Sequence, residues 1–262
     1  MNKARQFRLL TIGLLLALVW LPGEARAAQC GSTAAGFEAW KRQFAGEAQA
    51  RGVSASTIAV LMATNYSTAT IAADRGQRSF SLSLNQFLAK RGGSTIVARG
   101  RALKRSNAAL FSSIEQRFGV PPGPLLAIWG METGFGSSRG NQNVLSAVAT
   151  LAYDCRRTAY FTDQLYAALT LVERGIFSAG TRGSMHGEVG HTQFLPKNIL
   201  DYGIGGSLDI AANALSSTAN FLKAHGWRAG LDTSRAKSIS PPSRHGMRLR
   251  SMSTPLRLLP DR

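Results

Sequence analysis

The sequence predicts a mainly α, helix-rich globule with at most a small irregular or β-like lobe. Three observations carry that expectation. From residue 37 to residue 225, apolar residues recur at steps of three and four, the spacing that lines one face of a helix. Glycines punctuate these runs where helices end, at Gly52, Gly119 and Gly134. No segment of useful length alternates with period two, so strand signals are scarce.

The elements follow in order. Phe37, Trp40, Lys41, Phe44 and Ala48 mark a first helix that Arg51-Gly52 ends. Ser54 or Ser56 can cap a second through Ile58, Leu61 and Met62. Residues 66–81, rich in Ser, Thr and Ala, read as a connecting segment. A short helix holds Leu84, Phe87 and Leu88. Gly92-Gly93-Ser94 restarts the chain into one long helix with Ile96, Val97, Leu103, Leu110, Phe111 and Ile114 inward, ended by Gly119. Pro121, Pro122 and Pro124 open the next helix, where a missing N–H costs nothing, and Gly134 and Gly136 stop it. Glu132 stands at the end of that apolar run, one turn past Ile128 and Trp129. Such a setting disfavours the ionised form and suits a general acid. Two further helices carry Val144, Leu145, Val148 and Leu151, then Tyr160, Phe161, Leu165 and Leu169. Residues 175–192 are Gly-rich and read as a loop that approaches something closely. Pro196 opens a short helix, and residues 211–225 form the last clear one.

Residues 1–27 read as an export signal: Lys3, Arg5 and Arg8 precede an apolar run over 9–21, broken by Pro22-Gly23. Ala25-Arg26-Ala27 supplies a small-x-small cleavage site, which predicts a periplasmic or secreted protein beginning at Ala28. The run is too short to span a bilayer comfortably, so stable membrane insertion after cleavage is not expected. Gln29 before Cys30 is a poor match to a lipid-anchor site. Cys30 and Cys155 are the two cysteines; an oxidising compartment allows a bridge between them, with two unpaired thiols as the alternative.

The net charge of +17 divides into +3 for residues 1–27, +8 for 28–227 and +6 for 228–262. The body is thus moderately basic, which favours an anionic polymer as partner. Zinc-finger spacing, a Gly-aromatic RNA-binding motif and a long basic helix are all missing, so a wall or membrane surface is the better inference than nucleic acid. Residues 228–262 hold Pro241, Pro242, Pro255 and Pro260 among serines and basic residues without periodicity. That composition predicts a disordered basic tail or, the reading preferred here, a stretch read in a shifted frame from near residue 230.

Four ordered blocks carry a resemblance. Ile128-Trp129-Gly130-Met131-Glu132-Thr133-Gly134-Phe135-Gly136 resembles the catalytic segment of the membrane-bound lytic transglycosylase B family of peptidoglycan enzymes. Leu151-Ala152-Tyr153-Asp154-Cys155-Arg156-Arg157 is similar to its helix ending in paired arginines. Arg182-Gly183-Ser184 with Gly190-His191-Thr192-Gln193-Phe194-Leu195-Pro196 resembles its Gly-Ser and Gln-Phe-Met-Pro segment. Ala219-Asn220-Phe221-Leu222-Lys223-Ala224-His225-Gly226-Trp227 resembles the helix that closes that core. Together the blocks cover residues 36–227.

The resemblance implies a lysozyme-like fold and cleavage of the MurNAc–GlcNAc β-1,4 bond without added water, with no cofactor. Glu132 would be the single acid and base, and the substrate's N-acetyl group the internal nucleophile. Ser184 and Gln193 map to residues that hold substrate, and Arg156 and Arg157 to a basic pair facing the wall's carboxylates. The implied partner is the glycan strand, bound by a monomer. Gly187-Glu188-Val189-Gly190 departs from the family's usual Gly-Ala-Met-Gly, with His186 and His191 added nearby. Glu188 is either a second cleft carboxylate, opening a hydrolytic route, or a solvated loop charge, the reading favoured by its place in a loop. Beyond Trp227 the family's further helical segment with Asn and Tyr is not recognisable.

Other chemistries fit poorly. His186-Gly187-Glu188 lacks the Pro-Cys-x-x-Cys of zinc deaminases, and His186, Glu188 and His191 lack zinc-protease spacing, so no metal is expected. Ser184 lies in no nucleophile elbow. Three classes remain: a wall-cleaving lyase, a muramidase using Glu132 and Glu188, and a non-catalytic wall binder.

Overall fold

Burial within the helices divides the apolar residues into two cores. The computed structural model describes residues 28–76 and 82–228; the expected export signal and the basic tail past Arg228 lie outside them. The helices are α1 (Phe37–Ala50), α2 (Ala55–Met62), α3 (Thr68–Gly76), α4 (Leu84–Lys90), α5 (Gly93–Ser106), α6 (Ala108–Phe118), α7 (Pro122–Thr133), α8 (Val144–Tyr153), α9 (Thr158–Glu173), α10 (Pro196–Tyr202) and α11 (Ala211–Ala224). Two short strands, β1 (Gln142–Asn143) and β2 (Arg182–Gly183), pair antiparallel, with Gln142 opposite Gly183. The mainly α reading holds, and the β-like lobe is reduced to this two-residue ladder.

The first core is built around α8, every residue of which is buried. Phe37, Trp40 and Phe44 of α1, Leu61 of α2, Phe161, Leu165 and Leu169 of α9 and Ile199 of α10 pack on it. Each large apolar side chain so buried contributes roughly 1.5–3 kcal/mol against remaining in water. The polar residues of α8 are satisfied by the chain that crosses it. Asn143 caps the helix by accepting from the Ser146 N–H at 2.8 Å, Ser146 Oγ accepts from Asn65 N at 3.1 Å, and Thr150 Oγ1 from Ser67 N at 2.9 Å. Lys41, also buried, donates to the carbonyls of Met62 and Thr64 at 3.0 and 2.6 Å and pairs with Glu38.

The same lobe is tied at its edge. Cys30 and Cys155 form a disulfide with their Cα atoms 5.0 Å apart, closing 125 residues of chain. Beside it Gly31 N donates to Tyr153 O at 3.0 Å, and the Tyr153 hydroxyl passes beneath to Thr33 O at 2.9 Å. A Cβ at Gly31 would stand 2.0 Å from that hydroxyl, so glycine is required there.

The second core gathers Phe111, Ile114 and Phe118 of α6, Leu125 and Trp129 of α7, Phe135, and one side of α11. Helix α11 belongs to both cores: Ala214 and Phe221 face the first, Leu215, Ala219 and Leu222 the second. The acid-bearing α7 is thus carried by one lobe and the 175–195 loop by the other.

Three expectations are corrected. The stretch read as a connector at 66–81 contains α3, because Ser67 Oγ accepts from Thr70 N at 3.1 Å and Thr70, Ile71 and Asp74 bury against α8. The single long helix breaks at Asn107, whose φ of −119° and ψ of 32° leave the helical range and redirect α6. Val97 is 53% exposed instead of inward.

Candidate active site

Helix α7 sets the position of Glu132 by regular means. Pro121 at the N-cap is extended (φ −71°, ψ 165°), and Pro122 begins the helix without sacrificing a bond. Leu125, Leu126, Trp129, Gly130 and Thr133 form its buried stripe, and Glu132 stands at the stripe's edge, half-buried. Gly130 is where α7 meets α5: a Cβ there would lie 2.5 Å from Ile96 Cγ2 and 2.8 Å from Phe135 Cζ. Past Thr133 the chain is left-handed at three successive residues, Gly134 (φ 55°), Phe135 (φ 60°) and Gly136 (φ 85°). At Phe135, which carries a side chain, this conformation costs about 1–2 kcal/mol. Its ring is held edge-on to Trp129 at 5.4 Å, with the Arg99 guanidinium 5.3 Å from its centre.

No hydrogen bond reaches the Glu132 carboxyl among the described residues. Loss of solvent is the main reason its pKa is raised to about 7, the charge of Glu188 adds to the rise, and Arg91 opposes it. The protonated acid is therefore substantially populated at neutral pH.

The 182–195 loop faces it from the other lobe. It is anchored by β2 and by a Val189–Phe194 bridge of two backbone bonds at 2.9 and 3.1 Å. Ser184 organises the turn between them. Its Oγ donates to Glu188 Oε2 at 2.9 Å and accepts from the N–H groups of His186 and Glu188, both at 3.1 Å. Ser184 is thus fully engaged in presenting Glu188. The expectation that Glu188 is a solvated loop charge is corrected: it is half-buried, and desolvation raises its pKa while Ser184 and Arg157 pull it back. Gln193, held at φ 56°, donates from Nε2 to Gly190 O at 2.8 Å and Arg139 O at 3.3 Å, leaving its carbonyl oxygen to accept.

The paired arginines have a partner within the fold that the sequence reading did not name. Arg156 and Arg157 both close on Asp74 of α3, whose side chain is 1% exposed; Arg157 Nη1 to Asp74 Oδ1 is 2.8 Å. Arg75 answers with Asp154 at 2.8 Å, so three ion pairs, running in both directions, join α3 to the α8–α9 turn. Arg157 also lies over Phe161 at 4.7 Å. Committed to a buried carboxylate, the pair is a clamp between helices before it is a surface for wall carboxylates. His186 shares this corner, its Nε2 4.0 Å from Asp74 Oδ1, and burial with the two arginines lowers its pKa.

Sequence reasoning missed the partner of His191. Trp129 Nε1 donates to His191 Nδ1 at 2.9 Å, joining the acid-bearing helix to the loop. It missed Asp74 too, in a segment read as a connector. His191 was noted only as an addition, and nothing in the sequence names Trp129 as its donor. Among the described residues no cluster of three or more His, Cys, Asp or Glu is placed to hold a metal, and no helix is long and apolar enough to cross a membrane. A cavity of about 250 Å³ lined by Phe177, Arg182, Val189, Ile199, Leu208 and Asp209 includes neither Glu132 nor Glu188.

In family and fold the chain is similar to known proteins. A family model described as the Transglycosylase SLT domain matches residues 36–254, running past Trp227 into the basic tail. Membrane-bound lytic murein transglycosylase B of Escherichia coli (strain K12) is 35% identical over 123 residues, 44% of this chain and 34% of that protein. The crystal structure of SltB3 from Pseudomonas aeruginosa in complex with NAG-anhNAM-pentapeptide superposes with a TM-score of 0.69 at 35% identity, covering 74% of this chain and 54% of that one. Soluble lytic transglycosylase SltB1 of the same organism shares the fold, with a TM-score of 0.67 at 23% identity over 72% of this chain and 68% of that one. The chain spans about a third of the curated relative and about half of SltB3. With the lysozyme-like helical fold and a family match over most of its length, this chain belongs to the transglycosylase SLT domain family.

Proposed function

We propose that the protein is a peptidoglycan lytic transglycosylase that cleaves the MurNAc–GlcNAc β-1,4 bond without added water and leaves 1,6-anhydro-MurNAc ends. The observation that carries this reading is one half-buried carboxyl without a hydrogen-bond partner, held near neutrality at the end of α7. As the acid, Glu132 gives its proton to the glycosidic oxygen while the C1–O bond breaks, and the substrate's N-acetyl oxygen covers C1. As the resulting carboxylate it takes the proton of the MurNAc C6 hydroxyl, whose oxygen attacks C1 and displaces the N-acetyl oxygen. The proton lost in the first step is regained in the second, so the enzyme is restored without water. A pKa of about 7 suits a group that must be acid and base in turn.

The SltB3 complex, which holds an anhydro-muramyl pentapeptide, supports the substrate class. The moderately basic body, +8 over residues 28–227, suits an acidic wall, and we place the enzyme in the periplasm or outside the cell, with residues 1–27 as its export signal and 28–227 as the catalytic unit. Gln193 holds substrate through its free carbonyl oxygen. A second reading has one specific observation in its favour. Glu188 is half-buried and close enough to raise the pKa of Glu132, so it is available as a base for water, which would make the protein a muramidase.

Mass spectrometry of digested sacculi decides. Anhydro-MurNAc ends are the expected product; reducing MurNAc ends would replace the lyase by the hydrolase, and a protein that binds sacculi without releasing products would be a wall binder.

A further inference from the structure

Glu132 is held by no bond of its own, so something else must fix the turn that carries it. We propose that His191, as a neutral imidazole with its proton on Nε2, is the positioning residue that locks the acid-bearing turn of α7 to the opposite lobe. This deepens the reading of Glu132 as the acid and rests on it.

His191 grips that turn on both sides of the acid. Three residues before Glu132, the Trp129 indole donates to His191 Nδ1 at 2.9 Å. One residue after it, Thr133 Oγ1 donates to His191 O at 2.7 Å and accepts from Gly136 N at 2.9 Å. The ring fills the space beneath Gly136, where a Cβ would stand 2.2 Å from Cε1. From the other lobe, His191 N donates to Leu208 O at 3.0 Å, and Nε2 lies 3.2 Å from Asp209 O.

The tautomer follows from donor chemistry. An indole nitrogen only donates, so Nδ1 must carry the lone pair. The ring proton is then on Nε2 and meets the Asp209 carbonyl. One tautomer satisfies both ends, and the imidazolium does not, because its Nδ1–H would face the indole N–H.

The groups facing the ring are few. From α7 they are Trp129 and Thr133, neither of which titrates in the working range. Arg139 of the 134–141 turn disfavours the imidazolium, as does burial, and Asp209 of the 203–210 segment favours it; burial and Arg139 prevail, lowering the pKa below the ordinary histidine value. Protonation thus comes only under acidic conditions, and there it breaks the indole bond, leaving Thr133 as the remaining tie between α7 and His191.

The test measures anhydro-muropeptide release against pH, with 15N NMR of the imidazole. The wild type should show an unprotonated Nδ1 at neutral pH and an acid limb in kcat. His191→Phe, without the acceptor, should lose about 10- to 100-fold in kcat at neutral pH with KM within about twofold. His191→Asn keeps an oxygen near the place of Nδ1 and does not titrate, so it should retain most activity and lose the acid limb. If His191→Phe does not fold, the His191→Asn profile decides alone. Wild-type kcat in folded His191→Phe, an unchanged acid limb in His191→Asn, or a protonated Nδ1 at neutral pH would each overturn the proposal. A wild type that releases nothing would instead strike at the function of Glu132.

Discussion

The two lobes hold their interacting carboxyls, Glu132 and Glu188, by opposite means. The α8 lobe is fastened at every edge: a disulfide, three ion pairs between α3 and the α8–α9 turn, a buried lysine on two carbonyls, and a central helix with no exposed residue. The α7 lobe has none of these ties among the described residues, and α4 and α5 leave Leu84, Leu88 and Val97 open to solvent. Yet the stiffer lobe presents its carboxyl on a loop, and the looser one presents its carboxyl on a regular helix. In each case the weaker local scaffold is compensated: Glu188 is pinned by the Ser184 bonds within a rigid surround, while Glu132, bare of bonds, rides on a helix gripped by its neighbours. The difference teaches that burial, with the charge of Glu188 behind it, raises the pKa of Glu132 unopposed by any hydrogen bond, whereas at Glu188 the Ser184 bond restrains the rise.

The most severe way to break this contrast is to remove the acid. Glu132→Gln should reduce anhydro-muropeptide release by at least about 10²- to 10⁴-fold while binding to sacculi persists; retained turnover would move the acid elsewhere. Next comes the disulfide of the fastened lobe. Replacing Cys30 and Cys155 by serine should cost about 3–5 kcal/mol in urea unfolding, the range expected for closing so long a loop. A smaller loss would mean that the ion pairs and core hold the N-terminus unaided.

The ionisation of Glu132 has its own signature in stability. Its folded pKa is raised from 4.5 to about 7. Below pH 4.5 both folded and unfolded forms hold the proton and stability is whole; as pH climbs toward 7 the unfolded chain releases it first and stability falls. The loss above neutrality is up to about 3 kcal/mol, at 1.36 kcal/mol for each unit. Denaturation of Glu132→Gln at acid and alkaline pH should show this slope removed. In the same vein, Glu188→Gln takes away a like charge, so the alkaline limb of the wild-type activity, set near pH 7, should move to lower pH. A limb that stays in place would leave burial as the whole cause. The smallest effect belongs to the loose lobe's surface: Val97→Ser should change stability by no more than about 0.5 kcal/mol in thermal melts.

How much of this was readable follows the same division. Proline at the start, an unbroken apolar run and glycines at the end specify α7 and put Glu132 at its tip, because every one of those signals is local. The sequence also marks α8 and α11. Asp74 is a different case: its worth comes from Arg156 and Arg157, far along the chain, and a Ser/Thr/Ala-rich segment becomes α3 only because α8 offers Ser146 and Thr150 to the chain that enters it. The break at Asn107 escaped notice since Asn carries a modest helix penalty that tertiary packing overrides. Glu188 reads as a loop charge in one dimension; burial and its bond to Ser184 make it a half-buried, restrained carboxyl in three.

One consequence of α11 concerns motion. Its flanks are shared, with Phe221 committed to one core and Leu222 to the other, so it works as a common axle between the halves. Swinging the lobes apart would strip one flank bare and open close-packed interior to water. The packing of α11 against both cores therefore resists any hinge-like parting of the halves.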